Sequence, residues 1–209
     1  MAITDANRKR LLEVIEHDVK RLDRLISDIS DASRLDAELQ RQEASSVDLA
    51  KLLDALVTAA SEVRPDDVSV TLAFEGGSPA VFKVPGHDSR LGQVVSNLID
   101  NARSFSPPGG KVRITCRRLK NEVEIVVDDD GPGIRPEALD KIFERFYTDR
   151  PHQGFGQNSG LGLSITKQIV EAHGGSIRVE NRIGVAAAGQ GDQAPRVLGA
   201  RFVVRLPAT

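Results

Sequence analysis

The chain has 209 residues, of which 40% are hydrophobic and 28% are charged, and its formal net charge is −2. This composition is typical of a soluble globular protein and argues against a nucleic-acid or anionic-membrane partner, because binding to either usually requires a basic excess. The single cysteine, Cys116, excludes an intramolecular disulfide and a cysteine-based metal cluster. It lies in an alternating apolar stretch, which predicts a packed strand thiol.

The N-terminal segment, residues 5–39, is predicted to form one long helix. Its apolar side chains recur in alternating steps of four and three, and a second apolar row repeats every seven residues beside them. The first row comprises Leu11, Ile15, Leu22, Leu25, Ile29 and Ala32, interrupted at Asp18, and the second comprises Leu12, Val19 and Ile26. So broad an apolar face is typical of a helix in a bundle, and such a helix needs a partner helix.

The rest of the chain predicts alternating helices and strands. In chain order, the predictions are a helix over 48–63 capped by Asp48, strands over 68–74 and 80–84, a helix over 89–105, a hairpin of strands 110–119 and 122–129, a short helix after Pro136, a loop over 147–159, a helix over 160–173, a strand over 176–181, a disordered insertion over 185–195, and a strand over 200–206. This order predicts an α+β fold with a mixed sheet that helices cover on one face.

Two asparagines lie four residues apart in the predicted helix 89–105. Asn97 and Asn101 therefore face the same side of that helix. Their amide oxygens suit a hard cation carried by phosphates, because they add no negative charge beside those phosphates. An isolated pair of this kind would more often be two exposed helix amides, so the interpretation depends on the two segments that follow.

The predicted strand 122–129 ends in an acidic, glycine-containing turn. Three consecutive aspartates, residues 128–130, are followed by glycines at 131 and 133. A carboxylate at a strand end can accept a hydrogen bond from an exocyclic amine such as N6 of adenine, and glycines would let the base approach the backbone. A calcium loop is the alternative, but consecutive acids do not match its alternating ligand positions.

A glycine-rich segment precedes the predicted helix 160–173. Residues 159–163 read Ser-Gly-Leu-Gly-Leu. Glycines expose backbone N–H groups, and a helix N-terminus carries positive partial charge, so the segment has the features of a phosphate cradle. It lacks the Lys-Ser/Thr of a P-loop and the third glycine of a Rossmann turn, and the chain has no His-Arg-Asp of the protein kinases.

In this order and spacing, the three segments resemble the ATP-binding catalytic domain of bacterial sensor histidine kinases, in the GHKL ATPase superfamily that includes gyrase, Hsp90 and MutL. The resemblance covers about residues 46–207. It implies a Bergerat fold, a two-layer α/β sandwich, over residues 44–209. Residues 1–43 would be a partial dimerisation helix, the second of its pair.

The resemblance also implies ligands and residue roles. Asn97 and Asn101 would bind Mg²⁺, Asp129 would contact adenine, and a lid over about residues 144–160 would bring Arg145 to the phosphates of ATP. The implied ATP-binding residues are Asn97, Asn101, Asp129, Gly131, Gly133, Ile134, Arg145, Ser159, Gly160, Leu161, Gly162 and Leu163.

Two positions depart from the usual pattern of this family. Ser104 stands where a lysine usually meets phosphate, and Arg103 lies next to it but about 100° round the helix. The sequence leaves open whether Arg103 replaces that lysine. Asn158 stands where a glycine is common. Both changes resemble envelope-sensing kinases of the ChvG/ExoS kind.

The phosphoacceptor histidine of this family lies in a His-Glu/Asp-x-Arg/Lys-x-Pro motif on the first dimerisation helix. Residues 17–22 match its first four positions but lack the proline. His17 is also too close to Asn101 along the chain to leave room for a hairpin and a second helix. We therefore expect the acceptor to lie outside this chain.

Three functions are consistent with these residues. The leading one is the kinase core of a two-component sensor, which transfers the γ-phosphoryl of ATP to a histidine of its own dimer and thence to a response regulator. The resemblance then implies that this segment is the cytoplasmic portion of an inner-membrane sensor kinase that is a homodimer in full length, without nucleic-acid or membrane contact by this segment. The alternatives are a GHKL ATPase, although such enzymes carry a general-base Glu about where Asn97 stands, and a nucleotide-free dimerising module, which Ser104 keeps open.

Overall fold

The structure is a computed structural model that describes residues 45–63, 68–77, 81–148, 160–184 and 196–209, together with the isolated positions 7, 8, 11, 12, 15, 19 and 26. These isolated positions are helical. The rest of the predicted helix 5–39 lies outside the described residues, as do His17, most of the predicted lid including Ser159, and the predicted insertion 185–195.

Apart from the isolated helical positions, the elements with defined bounds are seven strands, three α-helices and one short 3₁₀ turn. They are β1 (Ser45–Asp48), α1 (Leu49–Val63), β2 (Ser69–Glu75), β3 (Lys83–Gly86), α2 (Asp88–Phe105), β4 (Lys111–Arg118), β5 (Glu122–Asp128), the 3₁₀ turn (Pro136–Ala138), α3 (Gly162–Ala172), β6 (Ser176–Ile183) and β7 (Val197–Pro207). None of the helices described is both long enough and apolar enough to span a membrane.

Five of the strands form one mixed sheet in the order β2-β4-β5-β7-β6. β2 runs parallel to β4, and the other three neighbouring pairs are antiparallel. The two remaining strands, β1 and β3, form a separate antiparallel pair. Because β7 lies between β5 and β6, it places residues of three strands side by side at the end of β5.

The helices cover one face of this sheet, which confirms the predicted two-layer α+β sandwich. Val123, Ile125 and Val127 of β5 alternate toward the helices and join the core that Leu98 and Ile165 complete from the helical layer. The intervening side chains face the other way. Glu124 there is paired with Arg205 at 2.8 Å, so that face is stabilised by ion pairs between strands.

Local sequence explains the helix that carries the two asparagines. The buried side chains of α2 recur every three or four residues, which is the period of one helical face; they are Leu91, Val94, Val95, Leu98, Ile99 and Ala102. The helix ends at Phe105, ahead of Pro107, whose ring disfavours helical backbone before it. The predicted helix 89–105 is therefore confirmed.

The predicted elements differ from the structure mainly at short strands. β1 was not expected, and the predicted strand 80–84 is instead β3, which begins three residues later and contains Pro85. Each strand has only four residues and one apolar side chain that reaches the core, Val47 or Val84, so neither is long enough to show an alternating apolar pattern. Cys116 in β4 is fully buried, as predicted, and burial raises the pKa of its thiol to about 12.

Candidate nucleotide-binding site

Asn97 connects the two central helices. Its Nδ2 donates hydrogen bonds to the carbonyl of Gly162 at 3.1 Å and to Oγ1 of Thr166 at 3.3 Å, both on α3. Thr166 Oγ1 in turn donates to the Gly162 carbonyl at 2.8 Å. These bonds fix which end of the amide faces α3, and they leave Oδ1 of Asn97 as the end that can accept or coordinate.

Asn101 lies one turn further along α2 on the same face and is half-buried. The two positions that depart from the family pattern follow it. Ser104 Oγ donates to the backbone carbonyl of Asn101 at 2.8 Å, so its hydroxyl turns back onto its own helix. Arg103 Nη1 donates to the carbonyl of Ala60 on α1. The guanidinium is therefore directed toward α1 in this structure.

Asp129 is a buried carboxylate at the end of β5, with only 3% of its surface exposed. Its Oδ1 accepts hydrogen bonds from the backbone N–H groups of Gly131 at 2.8 Å and Ala200 at 2.9 Å. Burial raises the pKa of Asp129, because desolvation disfavours the charged form. Within the described part of the chain, both hydrogen bonds of the carboxylate end on Oδ1, which leaves Oδ2 as an acceptor for a ligand.

The two glycines after Asp129 are required by the packing of the chain itself. A Cβ on Gly131 would lie 2.9 Å from Oδ1 of Asp129 and 3.0 Å from the carbonyl oxygen of Phe105. Gly133 has a φ of +78°, and a Cβ there would lie 2.4 Å from Cγ1 of Val197. The sequence suggested only that these glycines admit a base, whereas the structure gives them a steric reason within the protein.

Four residues that the sequence did not single out support the Asp129 turn from β6 and β7. Asn181 exchanges two hydrogen bonds with the backbone of Ile134, each of 2.7 Å. Arg182 Nη1 donates to the carbonyl of Asp129 at 2.6 Å. Ala200 donates its N–H to Asp129 Oδ1, as described above. A Cβ on its neighbour Gly199 would lie 1.9 Å from the carbonyl oxygen of Asp129.

One signal in the sequence could have identified Asn181. Ile177 and Val179 alternate toward the core, and Asn181 is the next position in the same phase. A polar residue in an inward phase must find hydrogen-bond partners, and the alternation therefore indicated a structural contact. No comparable signal was available for Arg182, because outward arginines are common on β6 and β7.

The glycine-rich segment lies at the start of α3. Gly160 has a φ of +69°, and its carbonyl accepts a hydrogen bond from the N–H of Phe146 at 2.9 Å. Leu161 is buried and Leu163 packs against the core. Gly162 begins α3, where a Cβ would meet Asn97 Cγ at an ordinary 3.8 Å. The hydrogen bond from Phe146 thus holds the segment at Gly160, whereas the space beside Gly162 is open.

The structure brings most of the predicted site residues to one end of the sheet. Asn97 meets the start of α3, while Asp129, Gly131, Gly133 and Ile134 form the turn after β5. Arg145 is exposed and adjoins Phe146, the residue that bonds to Gly160. Ser159 is outside the described residues. The arrangement offers a buried carboxylate acceptor, amide oxygens and a helix N-terminus, a combination suited to a nucleotide.

The fold and this site define an ATPase domain of the GHKL class. Residues 86–209 match the family described as "Histidine kinase-, DNA gyrase B-, and HSP90-like ATPase", and the chain belongs to that family. Among curated proteins, it is 51% identical to the sensor protein ChvG of Agrobacterium fabrum over 99% of this chain and 34% of that protein. The chain spans about a third of the length of such curated sensor proteins.

Solved structures agree with this assignment. A mycobacterial sensor histidine kinase, MprB, is 31% identical, with a TM-score of 0.63 over 79% of this chain and 97% of that one. The histidine kinase ThkA in complex with the response regulator TrrA has a TM-score of 0.72 over 100% of this chain and 53% of that one, but at 23% identity it supports the fold alone. The resemblance to the catalytic region of sensor histidine kinases, of the ChvG kind, is therefore confirmed.

Proposed function

We propose that the chain binds Mg-ATP at the end of β5 and directs its γ-phosphoryl to a histidine on the dimerisation helices of the same kinase. The observation that carries this proposal is the geometry of Asp129. Both backbone N–H groups that reach the carboxylate are bound to Oδ1. Oδ2 is thus the atom available to accept a hydrogen bond from the 6-amino group of adenine.

Recognition of adenine would follow from burial of this carboxylate. A buried acceptor without a donor is costly, so a base that cannot donate a hydrogen bond at position 6 should bind much more weakly than adenine. Gly131 and Gly133 allow the turn to lie close to the carboxylate, because a side chain at either position would clash with its surroundings. Ile134, whose backbone is held by Asn181, ends this turn.

The phosphates would lie between α2 and the start of α3. Bound Mg-ATP supplies the phosphoryl group, and Mg²⁺ would neutralise part of the phosphate charge. Oδ1 of Asn97 and the amide of Asn101 are the side-chain oxygens suited to hold the cation, because a hard cation prefers oxygen ligands. The backbone from Gly160 to Leu163 would contact the phosphates at the N-terminus of α3, and Arg145 would approach from the lid.

The environment of Asn97 favours phosphotransfer over hydrolysis. A carboxylate at this position could act as the general base for water, but it could not donate to the Gly162 carbonyl as Nδ2 of Asn97 does. An amide has no basic site of comparable strength. Asn97 therefore positions the cation and α3 without activating water. We assign the role of phosphoryl acceptor to a histidine outside this chain.

The proposal extends to the whole kinase. Residues 1–43 would belong to the dimerisation helices and residues 44–209 to the catalytic domain, with the lid at about residues 144–160. The full protein would be a homodimeric sensor kinase of the inner membrane, with this segment in its cytoplasmic portion, and it would pass the phosphoryl group to a response regulator. The similarity to a sensor protein over the full chain supports these assignments.

Calorimetric titration of Mg-ATP into this chain and into Asp129→Asn tests the adenine site. In the variant, the amide oxygen can still accept from Gly131 and Ala200, so the amide nitrogen must take the place of Oδ2. The side-chain amide nitrogen and the 6-amino group of adenine, both hydrogen-bond donors, would then face each other. We therefore expect binding to weaken by about a hundredfold or more. Equal affinity of the two proteins would contradict the role of Asp129, and no binding by either would contradict the proposed function itself.

A further inference from the structure

We propose that Asn181 is a positioning residue for adenine recognition, which acts by fixing the backbone of Ile134. The inference rests on the proposed function of the Asp129 site. Asn181 Oδ1 accepts from the N–H of Ile134, and Asn181 Nδ2 donates to the carbonyl of the same residue, both at 2.7 Å. The two residues are 47 positions apart, so this contact joins β6 to the turn after β5.

A paired contact of this kind constrains more than a single hydrogen bond. The planar side-chain amide meets both backbone polar groups of one residue, much as a neighbouring strand would. It therefore fixes the orientation of the peptide groups on both sides of Ile134. Because Asn181 is half-buried, loss of its side chain would leave both groups without their partner in a region with limited access to water.

The segment between Asp129 and Ile134 needs an external support. It contains Gly131 and Gly133, and Gly133 adopts the positive φ of +78°. Pro132 and the hydrogen bond from Gly131 N–H to Asp129 Oδ1 restrict the first part of the segment, but glycine populates many backbone conformations, so Gly133 needs support from outside the segment. A Cβ on Gly133 would lie 2.8 Å from Oδ1 of Asn181, which means that the same side chain also bounds the space around that glycine.

The far end of the segment is anchored separately. Asp129 is held by Ala200 of β7 and by Arg182, whose Nη1 reaches its carbonyl from the face of the sheet opposite to Asn181. Arg182 also contacts Asp130 Oδ1 at 3.2 Å. Hydrogen bonds from β6 and β7 thus hold the turn at both ends. Asn181 makes the contact on the side of the helices, where the nucleotide is proposed to bind.

The test compares ATP with the triphosphate of purine riboside, which has hydrogen in place of the 6-amino group. Dissociation constants are measured by calorimetry with Mg²⁺ present, for the unaltered chain and for Asn181→Ala. We expect the unaltered chain to prefer ATP by about tenfold. In Asn181→Ala, ATP should bind roughly tenfold more weakly and the preference should fall below about threefold, while the affinity for the other nucleotide changes by less than about twofold.

Two further measurements separate positioning from general damage to the fold. Asn121→Ala removes the same kind of side chain from the exposed β4–β5 turn and should leave both affinities unchanged. Amide hydrogen exchange at Ile134 should accelerate in Asn181→Ala while exchange in the strands stays the same. Asn181→Asp, which keeps the acceptor but loses the donor, serves if the alanine variant fails to fold, and it should lose the same preference.

Each outcome has a defined meaning. An unchanged preference for ATP in a folded Asn181 variant would overturn the inference, and so would equal weakening of both nucleotides. If the unaltered chain binds neither nucleotide, or binds both equally, the proposed function or the role of Asp129 fails instead. Failure of the proposal and failure of the function beneath it are therefore distinguishable in one experiment.

Discussion

Asp129 carries a negative charge in a place where water cannot reach most of it. The carboxylate is 3% exposed, and desolvation raises its pKa. The hydrogen bonds from Gly131 and Ala200 and the charge of Arg182 act in the opposite direction, but burial is the larger effect. The folded protein therefore contains a poorly solvated carboxylate. Its Oδ2 has a strong tendency to accept a hydrogen bond from a ligand.

This raised pKa predicts a pH dependence of adenine binding. As the pH falls through the raised pKa of Asp129, the carboxylate takes up a proton and can no longer accept at both oxygens. The preference for ATP over purine riboside triphosphate should be constant near neutral pH. It should fall at acidic pH, and should begin to do so above the pH at which an ordinary Asp titrates, about 3.9.

The ratio of the two dissociation constants is the quantity to measure, because titration of the phosphates is common to both nucleotides and cancels. A preference that stays constant from neutral pH down to the ordinary Asp range would contradict the assignment of Asp129 as the adenine acceptor.

At the level of single residues, the sequence offered candidate ligand-binding residues and missed the residues that hold them in place. Asn97, Asp129 and Gly162 belong to short local patterns that can be seen in the sequence. Asn181 and Ala200 act on residues 47 and 71 positions away. Such contacts depend on strand pairing, which a local pattern does not contain.

The helices α2 and α3 are joined by hydrogen bonds at the two ends of α3. Near the site, Asn97 bonds to Gly162 and Thr166. At the opposite end, Nε2 of His173, directly after α3, accepts from the N–H of His87 at 3.1 Å, and its Nδ1 donates to the carbonyl of Ile169 at 2.7 Å. With one nitrogen accepting and the other donating, His173 must be neutral.

Protonation of His173 should therefore loosen this joint. Burial lowers the pKa of His173 in the folded state, so at pH values between the folded and unfolded values the unfolded chain binds more protons. The contribution of His173 to stability is fully present above the unfolded value of about 6.5 and is lost as the pH falls below it. Denaturant unfolding from pH 8 to pH 5 measures this loss.

The control for this prediction is His173→Gln, which cannot take up a proton in that range. The variant should be less stable at neutral pH, by about 1–3 kcal/mol, because its packing and hydrogen bonds are poorer. Its stability should vary less with pH between 5 and 7. If the unaltered chain and the variant have the same pH dependence, His173 is not the titrating group.

Elements with a long periodic pattern were predicted well, and short ones were not. The helix 89–105 and the hairpin of β4 and β5 match the structure to within one residue at each end. β1 and β3 have four residues each and stabilise one another, so neither has a pattern of its own. β7 begins three residues before the predicted strand, because its first residues pair with the end of β6.

At the scale of the whole molecule, the site draws on elements from most of the domain. α2, the turn after β5, the start of α3, β6 and β7 each contribute a described contact. A ligand that binds only when all of them are assembled must stabilise the folded state as a unit. Mg-ATP at a hundredfold excess over its dissociation constant should add about 2.7 kcal/mol and raise the Tm by roughly 5–10 °C.

Differential scanning calorimetry with and without nucleotide measures that shift. Chelation of Mg²⁺ should reduce it, and Asp129→Asn, with binding weakened about a hundredfold, should keep at most about 2 °C of it. A shift of the same size in Asp129→Asn would mean that the nucleotide stabilises the protein from another site.

The position of β7 in the sheet has a consequence for the order in which the protein is assembled during translation. β7 is the last of the described strands along the chain, yet it lies between β5 and β6. Until the ribosome has released it, β6 has no neighbour in the sheet, and Asp129 lacks the N–H of Ala200. With the proposed role of Asp129, a nascent chain that already contains both asparagines and both glycine-rich segments is not expected to bind adenine, and nucleotide binding should begin only after synthesis has passed this strand.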